Sequence, residues 1–175
     1  MNRVYRFSLA ILIVALLLTF AACGKSGRAS ETPRPQIEIL PGAGNVWLSP
    51  AQVTASTGSE FTVDVMVNSG SQKVAAYRFD LYYDQSMLAV NVNKGNSGAD
   101  AGPDGYLMAV NPNNPGQLLL TGFDVYGKGP GTELHMLTVY LRPVKAGTTE
   151  ISLTVMKLVD ENTFDVGNPN GTGTT

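Results

Sequence analysis

The sequence predicts an all-β domain built as a two-sheet β-sandwich, and three observations predict it. The dominant apolar period is two over several separate runs. Turn-forming residues recur between those runs. No segment carries a convincing amphipathic helical stripe. Alternation of this kind places one face of each strand in a core and the other in water. Eight or nine short strands at this spacing argue a Greek-key or jelly-roll arrangement.

The elements follow in order. Val46, Trp47 and Leu48 form a short first strand, and 53–55 offers a second. Over 61–67, Phe61, Val63, Val65 and Val67 alternate with Thr62, Asp64, Met66 and Asn68 just beyond. Over 76–83, Tyr77, Phe79, Leu81 and Tyr83 alternate with Ala76, Arg78, Asp80 and Tyr82. Segments 88–92, 106–110 and 118–123 are shorter candidates. Leu137, Val139 and Leu141 alternate with polar neighbours, as do Ile151, Leu153 and Val155. Thr57-Gly58, Ser69-Gly70, Lys94-Gly95, Pro103-Asp104-Gly105, Asn113-Asn114-Pro115-Gly116 and Ala146-Gly147 supply the turns between them.

Ahead of this domain lies a different kind of segment. Arg3 and Arg6 precede an apolar run over 7–20, followed by Ala21, Ala22 and Cys23, the only cysteine. A charged start, an apolar stretch and a small-residue cleavage zone make a secretory signal. A cut just before a cysteine is the pattern of a bacterial lipoprotein, with Cys23 as the lipidated first residue. A plain signal peptide cut after Ala22 is one alternative. An uncleaved anchor is another, although the run is shorter than the ~18–20 residues that span a bilayer. All three readings imply export. The expected organisation is a lipoprotein signal peptide at 1–22, lipidated Cys23 and a flexible tether at 23–45, a domain at 46–166 and a disordered tail at 167–175. The tether is rich in Gly, Ser and Pro, too poor in apolar surface to offset the entropy of ordering. The expected location is the cell envelope, lipid-anchored at the outer membrane or cell surface.

Charge and composition exclude several classes. Twelve basic residues face fourteen acidic ones. That balance does not suggest nucleic-acid binding, which usually shows a basic patch. One cysteine permits no intramolecular disulfide, so an exported domain must be held by its core. No nucleophile elbow, Gly-rich phosphate loop or HExxH motif is present. The expectation is a non-catalytic protein without a cofactor.

A resemblance sharpens this reading. Residues 74–84 (VAAYRFDLYYD), then Gln85, Ser86, Met87 and Leu88, resemble the cohesin family, in which a strand of alternating aromatics runs into Tyr-Asp, a turn and a Leu. Residues 46–50 (VWLSP), Val53, Gly58 and 61–67 (FTVDVMV) are similar to a cohesin opening. Residues 134–141, Gly147, 151–155 and 159–162 (VDEN) fit the closing strands. The resemblance implies a flattened nine-stranded jelly-roll barrel that binds and does not catalyse. The best-known cohesins hold dockerin modules of polysaccharide-degrading enzymes on a scaffold. In those of the cellulosome type one sheet face contacts dockerin, with polar side chains on the strand before Tyr-Asp. The matching positions are Ala76 and Arg78, where the family often has Asn and Asp.

The candidate partner-binding residues are therefore Ala76, Arg78, Asp80 and Tyr82, on the outward face by strict alternation. Tyr126 and Tyr140 are candidate extensions of that patch. The opposing reading is an ordinary solvated face with an Arg–Asp pair of little value. Asp100 and Asp104 are weak calcium candidates in a Gly-Pro loop, and Asp160, Glu161 and Asp165 form a similar cluster. His135 has no second histidine beside it and reads as structural. Trp47 reads as a cap on the core. The expected function is recognition of another exported protein, dockerin-bearing in one form. Glycan binding on the same scaffold and a structural role in an envelope or secretion assembly are the alternatives. The expected partners are thus an exported protein, a polysaccharide in the second reading, and the membrane through the lipid.

Overall fold

The computed structural model of the protein describes residues 42–171. The signal peptide, Cys23 and most of the expected tether lie outside the described residues, as do 172–175. The strands in chain order are β1 (Asn45–Ser49), β2 (Phe61–Val67), β3 (Val74–Tyr83), β4 (Leu88–Val90), β5 (Ala99–Ala101), β6 (Ala109–Asn111), β7 (Gln117–Lys128), β8 (Leu134–Pro143), β9 (Ile151–Val159) and β10 (Asn170–Gly171). No helix occurs among the described residues.

Two sheets result. One runs β10-β1-β2-β8-β4, with β5 also paired to β8. The other runs β6-β7-β3-β9. All pairings are antiparallel except β1 with β10. The two-sheet sandwich is as predicted, but the flattened nine-stranded barrel is not formed. The sheets are not closed on one another. Short strands leave them open: β4 and β5 share one side of β8, and no strand pairs across from one sheet to the other.

The alternation of each strand is set by the core between the sheets. Val63, Val65 and Val67 of β2 face Phe79 and Leu81 of β3, Leu118 and Leu120 of β7, and Leu137, Val139 and Leu141 of β8 in one buried cluster. Phe79, Leu81, Leu118 and Leu120 are wholly buried. Without a disulfide, this burial is the main favourable term available.

Several expected boundaries shift. Segment 53–55 is not a strand; it is part of the long loop after β1. The 106–110 candidate becomes strand only at β6, and β7 extends past 123 to Lys128. Strands β5 and β10 have no periodic signature, being three and two residues long. The last residues of the expected tether already belong to the domain: the Gly44 amide donates to the Asn68 carbonyl at 2.8 Å. At the other end, the expected disordered tail contains β10, and the Gly167 amide donates to Gln72 Oε1 at 3.0 Å. The two ends touch at Gly44, whose φ is +89° and whose missing Cβ would lie 2.5 Å from the Asn168 nitrogen. Only glycine permits that approach. Trp47 is also placed differently from the core cap expected for it. Val46 and Leu48 take the inward positions of β1, and Trp47 faces outward beside Met66.

A tyrosine pair anchors the second sheet. The Tyr77 ring stacks on Phe79 at 4.6 Å between centroids. Its hydroxyl donates to the Tyr106 carbonyl, and the Tyr106 hydroxyl donates to the Val74 carbonyl at 3.1 Å. Burial pushes both phenols well above the ordinary tyrosine value. Both are therefore held neutral in the fold. Their contribution is fully present below about pH 10 and is lost as pH rises above it. In an alkaline titration, the tyrosinate absorbance of Tyr77 and Tyr106 is expected to appear only together with loss of tertiary circular dichroism. Ionisation of all the tyrosines in a still-folded chain would contradict this.

Candidate functional site

The outer face of the β6-β7-β3-β9 sheet carries the predicted row. Ala76, Arg78, Asp80 and Tyr82 all lie on it, opposite the buried row of Tyr77, Phe79 and Leu81. The register places Phe123 beside Ala76, Thr121 beside Arg78, Leu119 beside Asp80 and Gln117 beside Tyr82. On the other flank, Lys157, Thr154 and Ser152 of β9 pair with Arg78, Asp80 and Tyr82. A bulge between Arg78 and Phe79 interrupts the β9 register and leaves Met156 exposed there.

The face is not a uniform solvated surface. Asp80 points outward but is only 2% exposed. Arg78 Nε donates to its Oδ1 at 3.1 Å, and Arg78 Nη2 donates to its Oδ2 at 3.2 Å. Gln117 Nε2 donates to the same Oδ2 at 3.2 Å and also to the Tyr82 hydroxyl at 3.2 Å. The Asp80 carboxylate is thus covered from two sides. The hydrogen bond to Asp80 also raises the Arg78 guanidinium above its usual value. Arg78 itself stays 45% exposed at the side chain. It uses two of five N–H donors on Asp80, so three remain for another acceptor. Phe123 is 54% exposed and Met156 51%. The result is an apolar pair on either side of a fixed cation and a phenol, types favoured at interface centres.

The other predicted residues are dispersed. Tyr126 is exposed near the end of β7, where Lys73 Nζ reaches its carbonyl. Tyr140 does not extend the patch. It lies on β8 in the other sheet, paired with Thr62, and its hydroxyl donates to Asp100 Oδ2 at 3.1 Å. That carboxylate raises the Tyr140 hydroxyl above its ordinary value. The calcium candidates are likewise separated in role. Asp100 sits in β5 and serves Tyr140, while Asp104 Oδ2 accepts from the His135 amide at 3.1 Å. Asp160 Oδ1 accepts the amides of Asn162 and Phe164 and so closes its own turn, and Asp165 pairs with Lys157 at 3.3 Å. Among the described residues, no group of three or more His, Cys, Asp or Glu is placed to hold a metal ion. His135 Nε2 lies 2.9 Å from Thr138 Oγ1 and 3.2 Å from Asp64 Oδ1, a polar cluster on the outer face of the β2–β8 pair.

Sequence reasoning missed Phe123, Met156 and Gln117. Phe123 reads as the end of a core strand, and only the β3–β7 register shows it beside Ala76. Alternation already turns Met156 outward, but only the bulged β3–β9 register shows it next to Arg78 and outward together with Lys157.

A family model for the cohesin domain matches residues 46–165. The chain belongs to the cohesin family. Solved structures agree on the fold. A cohesin from Clostridium acetobutylicum is 21% identical, with a TM-score of 0.57, covering 76% of this chain and 91% of that one. The sixth cohesin of Acetivibrio cellulolyticus scaffoldin B, solved with a variant Cel5 dockerin, is 14% identical, with a TM-score of 0.59 and coverage of 77% and 99%. A non-cellulosomal cohesin from the archaeon Archaeoglobus fulgidus is 16% identical, with a TM-score of 0.57 and coverage of 77% and 90%. Comparison with curated protein sequences finds no match.

The Arg78–Asp80–Gln117 arrangement gives a stability test. Arg78→Ala leaves the covered Asp80 side chain with only Gln117 as a direct side-chain donor. The variant is expected to unfold at a measurably lower urea concentration than the wild type. Arg78→Ala with Asp80→Leu removes both partners and is expected to recover most of that loss. Equal stability of the wild type and the Arg78→Ala single variant would show the pair to be an ordinary surface contact.

Proposed function

We propose that this cohesin is a non-catalytic docking module that binds a dockerin-type exported protein through the outer face of the β6-β7-β3-β9 sheet. The observation that carries the reading is the free face itself, with Arg78, Tyr82, Phe123 and Met156 exposed around a sealed Asp80. The chemistry of that face describes its partner. Ala76 accepts nothing, and Arg78 brings donors where the family often has an acceptor. The Asp80 oxygens are already engaged. A matching surface therefore offers carboxylate or hydroxyl acceptors over Arg78 and apolar side chains over Phe123 and Met156. An open depression bordered by Tyr82, Gln85, Pro115, Gly116, Glu150 and Ser152 adjoins the face and extends it.

The expected test is affinity capture with the full chain from the exported proteins of its source cell, with and without a calcium chelator. Dockerins carry calcium-binding loops, so a single enriched protein should be lost on chelation. It should also be lost with an Arg78→Ala, Tyr82→Ala double variant, checked as folded by circular dichroism. Capture that ignores both the chelator and the variant places the contact elsewhere. Retention on polysaccharide in its place would favour glycan binding.

The same proposal includes export and anchoring. The arginines, apolar run and Ala21-Ala22-Cys23 at the start of the chain support lipidation at Cys23. Tethering would raise local concentration at the membrane, so a modest contact suffices. Intact-mass measurement of the cell-extracted protein is expected to show a chain beginning at Cys23 with added acyl mass. A Cys23→Ala variant should lose that mass and leave the membrane fraction. An unmodified chain beginning at Cys23 would rule lipidation out.

A further inference from the structure

One end of the sandwich is not filled. Where β1, β3 and β8 finish and β2, β4 and β9 begin, a cavity of about 550 Å³ opens beneath the loop that follows β1. Its floor is the end of the core: Phe61, Met87, Leu88 and Ile151, with Val53 above them. Its lining also includes the hydroxyl-bearing residues Thr54, Ser56, Thr57, Thr148 and Thr149, and one cation, Lys145.

The walls are tied to one another. The Gly58 amide donates to the Pro143 carbonyl at 2.8 Å, which holds the loop after β1 against the end of β8. The Val144 amide donates to the Met87 carbonyl at 2.8 Å, which holds the loop after β8 against the turn before β4. Gly147, at φ +149°, passes so close to Met87 that a Cβ would lie 2.6 Å from the methionine methyl. The positive φ favours glycine at this position, while the methionine methyl, at the end of a flexible side chain, could move aside for a Cβ. The cavity is therefore held open by the backbone of three segments. Its volume falls within the range of small-molecule sites, and its lining is divided about evenly between apolar and polar surface.

Lys145 decides the class of ligand. It makes no ion pair within 4 Å among the described residues. The carboxyl of the nearby Asp84 is kept below the usual range chiefly by hydrogen bonds from Ser86 in its own turn, with a smaller contribution from the Lys145 charge. The ammonium thus lines a cavity with an apolar floor, near Asp84 but outside ion-pair distance of it. We propose that this cavity binds a small amphiphilic carboxylate, its hydrocarbon part against Phe61, Met87, Leu88 and Ile151 and its head at Lys145. This site is separate from the docking face and does not depend on its partner.

Octanoate, 1-octanol, octyltrimethylammonium and cellobiose, each added to the ¹⁵N-labelled full chain, test the proposal by amide shift perturbation. Octanoate is expected to shift residues in 53–61, 87–88 and 143–151, with at least about fivefold tighter binding than 1-octanol. Lys145→Gln should erase that preference while leaving the alcohol's binding unchanged. Ala55→Trp, which fills the cavity from its loop, should abolish binding of both; Ala146→Phe serves if that variant melts without cooperativity. Absence of shifts in these segments would overturn the proposal. So would equal binding of the octyl cation, persistence of the preference in Lys145→Gln, or shifts there from cellobiose alone.

Discussion

The inward row of β3 is the constraint on which the rest of the molecule depends. Tyr77, Phe79 and Leu81 are buried against the opposite sheet, and β3 is paired on both sides, by β7 and by β9. A period of two allows no compromise: a slip by one residue would bring Arg78 and Asp80 into the core. Fixing the apolar row therefore fixes the polar row behind it. The outer face of the sheet is positioned by the same burial that stabilises the domain, with no disulfide to assist. The Tyr77 hydroxyl adds a second lock, because it reaches the Tyr106 carbonyl and binds the segment before β6 to the sheet.

What could be read from the sequence followed from this periodicity. Strands β2, β3, β8 and β9 are long, half-buried and alternating, so their apolar residues announce both type and face. Strands β5 and β10 carry no such signal. Ala99–Ala101 is placed by its register on β8, and Asn170–Gly171 by parallel pairing with β1, both contacts distant in sequence. The candidate row on β3 was legible because it needed only alternation. The positions of Phe123, Gln117 and Tyr140 needed cross-strand registers that no local pattern contains. Trp47 shows the same limit: its place within Val-Trp-Leu on the first strand suggested a cap on the core, but its neighbours Val46 and Leu48 hold the inward positions.

Exposure was the property hardest to foresee. Alternation places Asp80 on the outer face, yet the side chain there is almost fully covered. Two groups from different positions, Arg78 two residues earlier and Gln117 from β7, close over it. Nothing local in the sequence joins Gln117 to Asp80. The pair differs from most surface ion pairs because one partner has been taken out of water, so losing the other leaves an unmet charge.

That sealed carboxylate bears on specificity. A face with free acceptors welcomes a partner's cations and hydroxyl donors. Here the acceptor is internally satisfied, Ala76 offers only a methyl group, and Arg78 projects spare donors. A surface of lysines and arginines laid over Arg78 would meet like charge in a partly desolvated setting, while an acidic or hydroxyl-rich surface would be paired. Discrimination of this kind acts by rejection as much as by attraction. Phe123 and Met156 on either side then supply apolar area without choosing among partners of that class. On the proposed docking function, the departure from the family's usual residues at 76 and 78 changes which partners are refused, on a scaffold whose core keeps the face where it was.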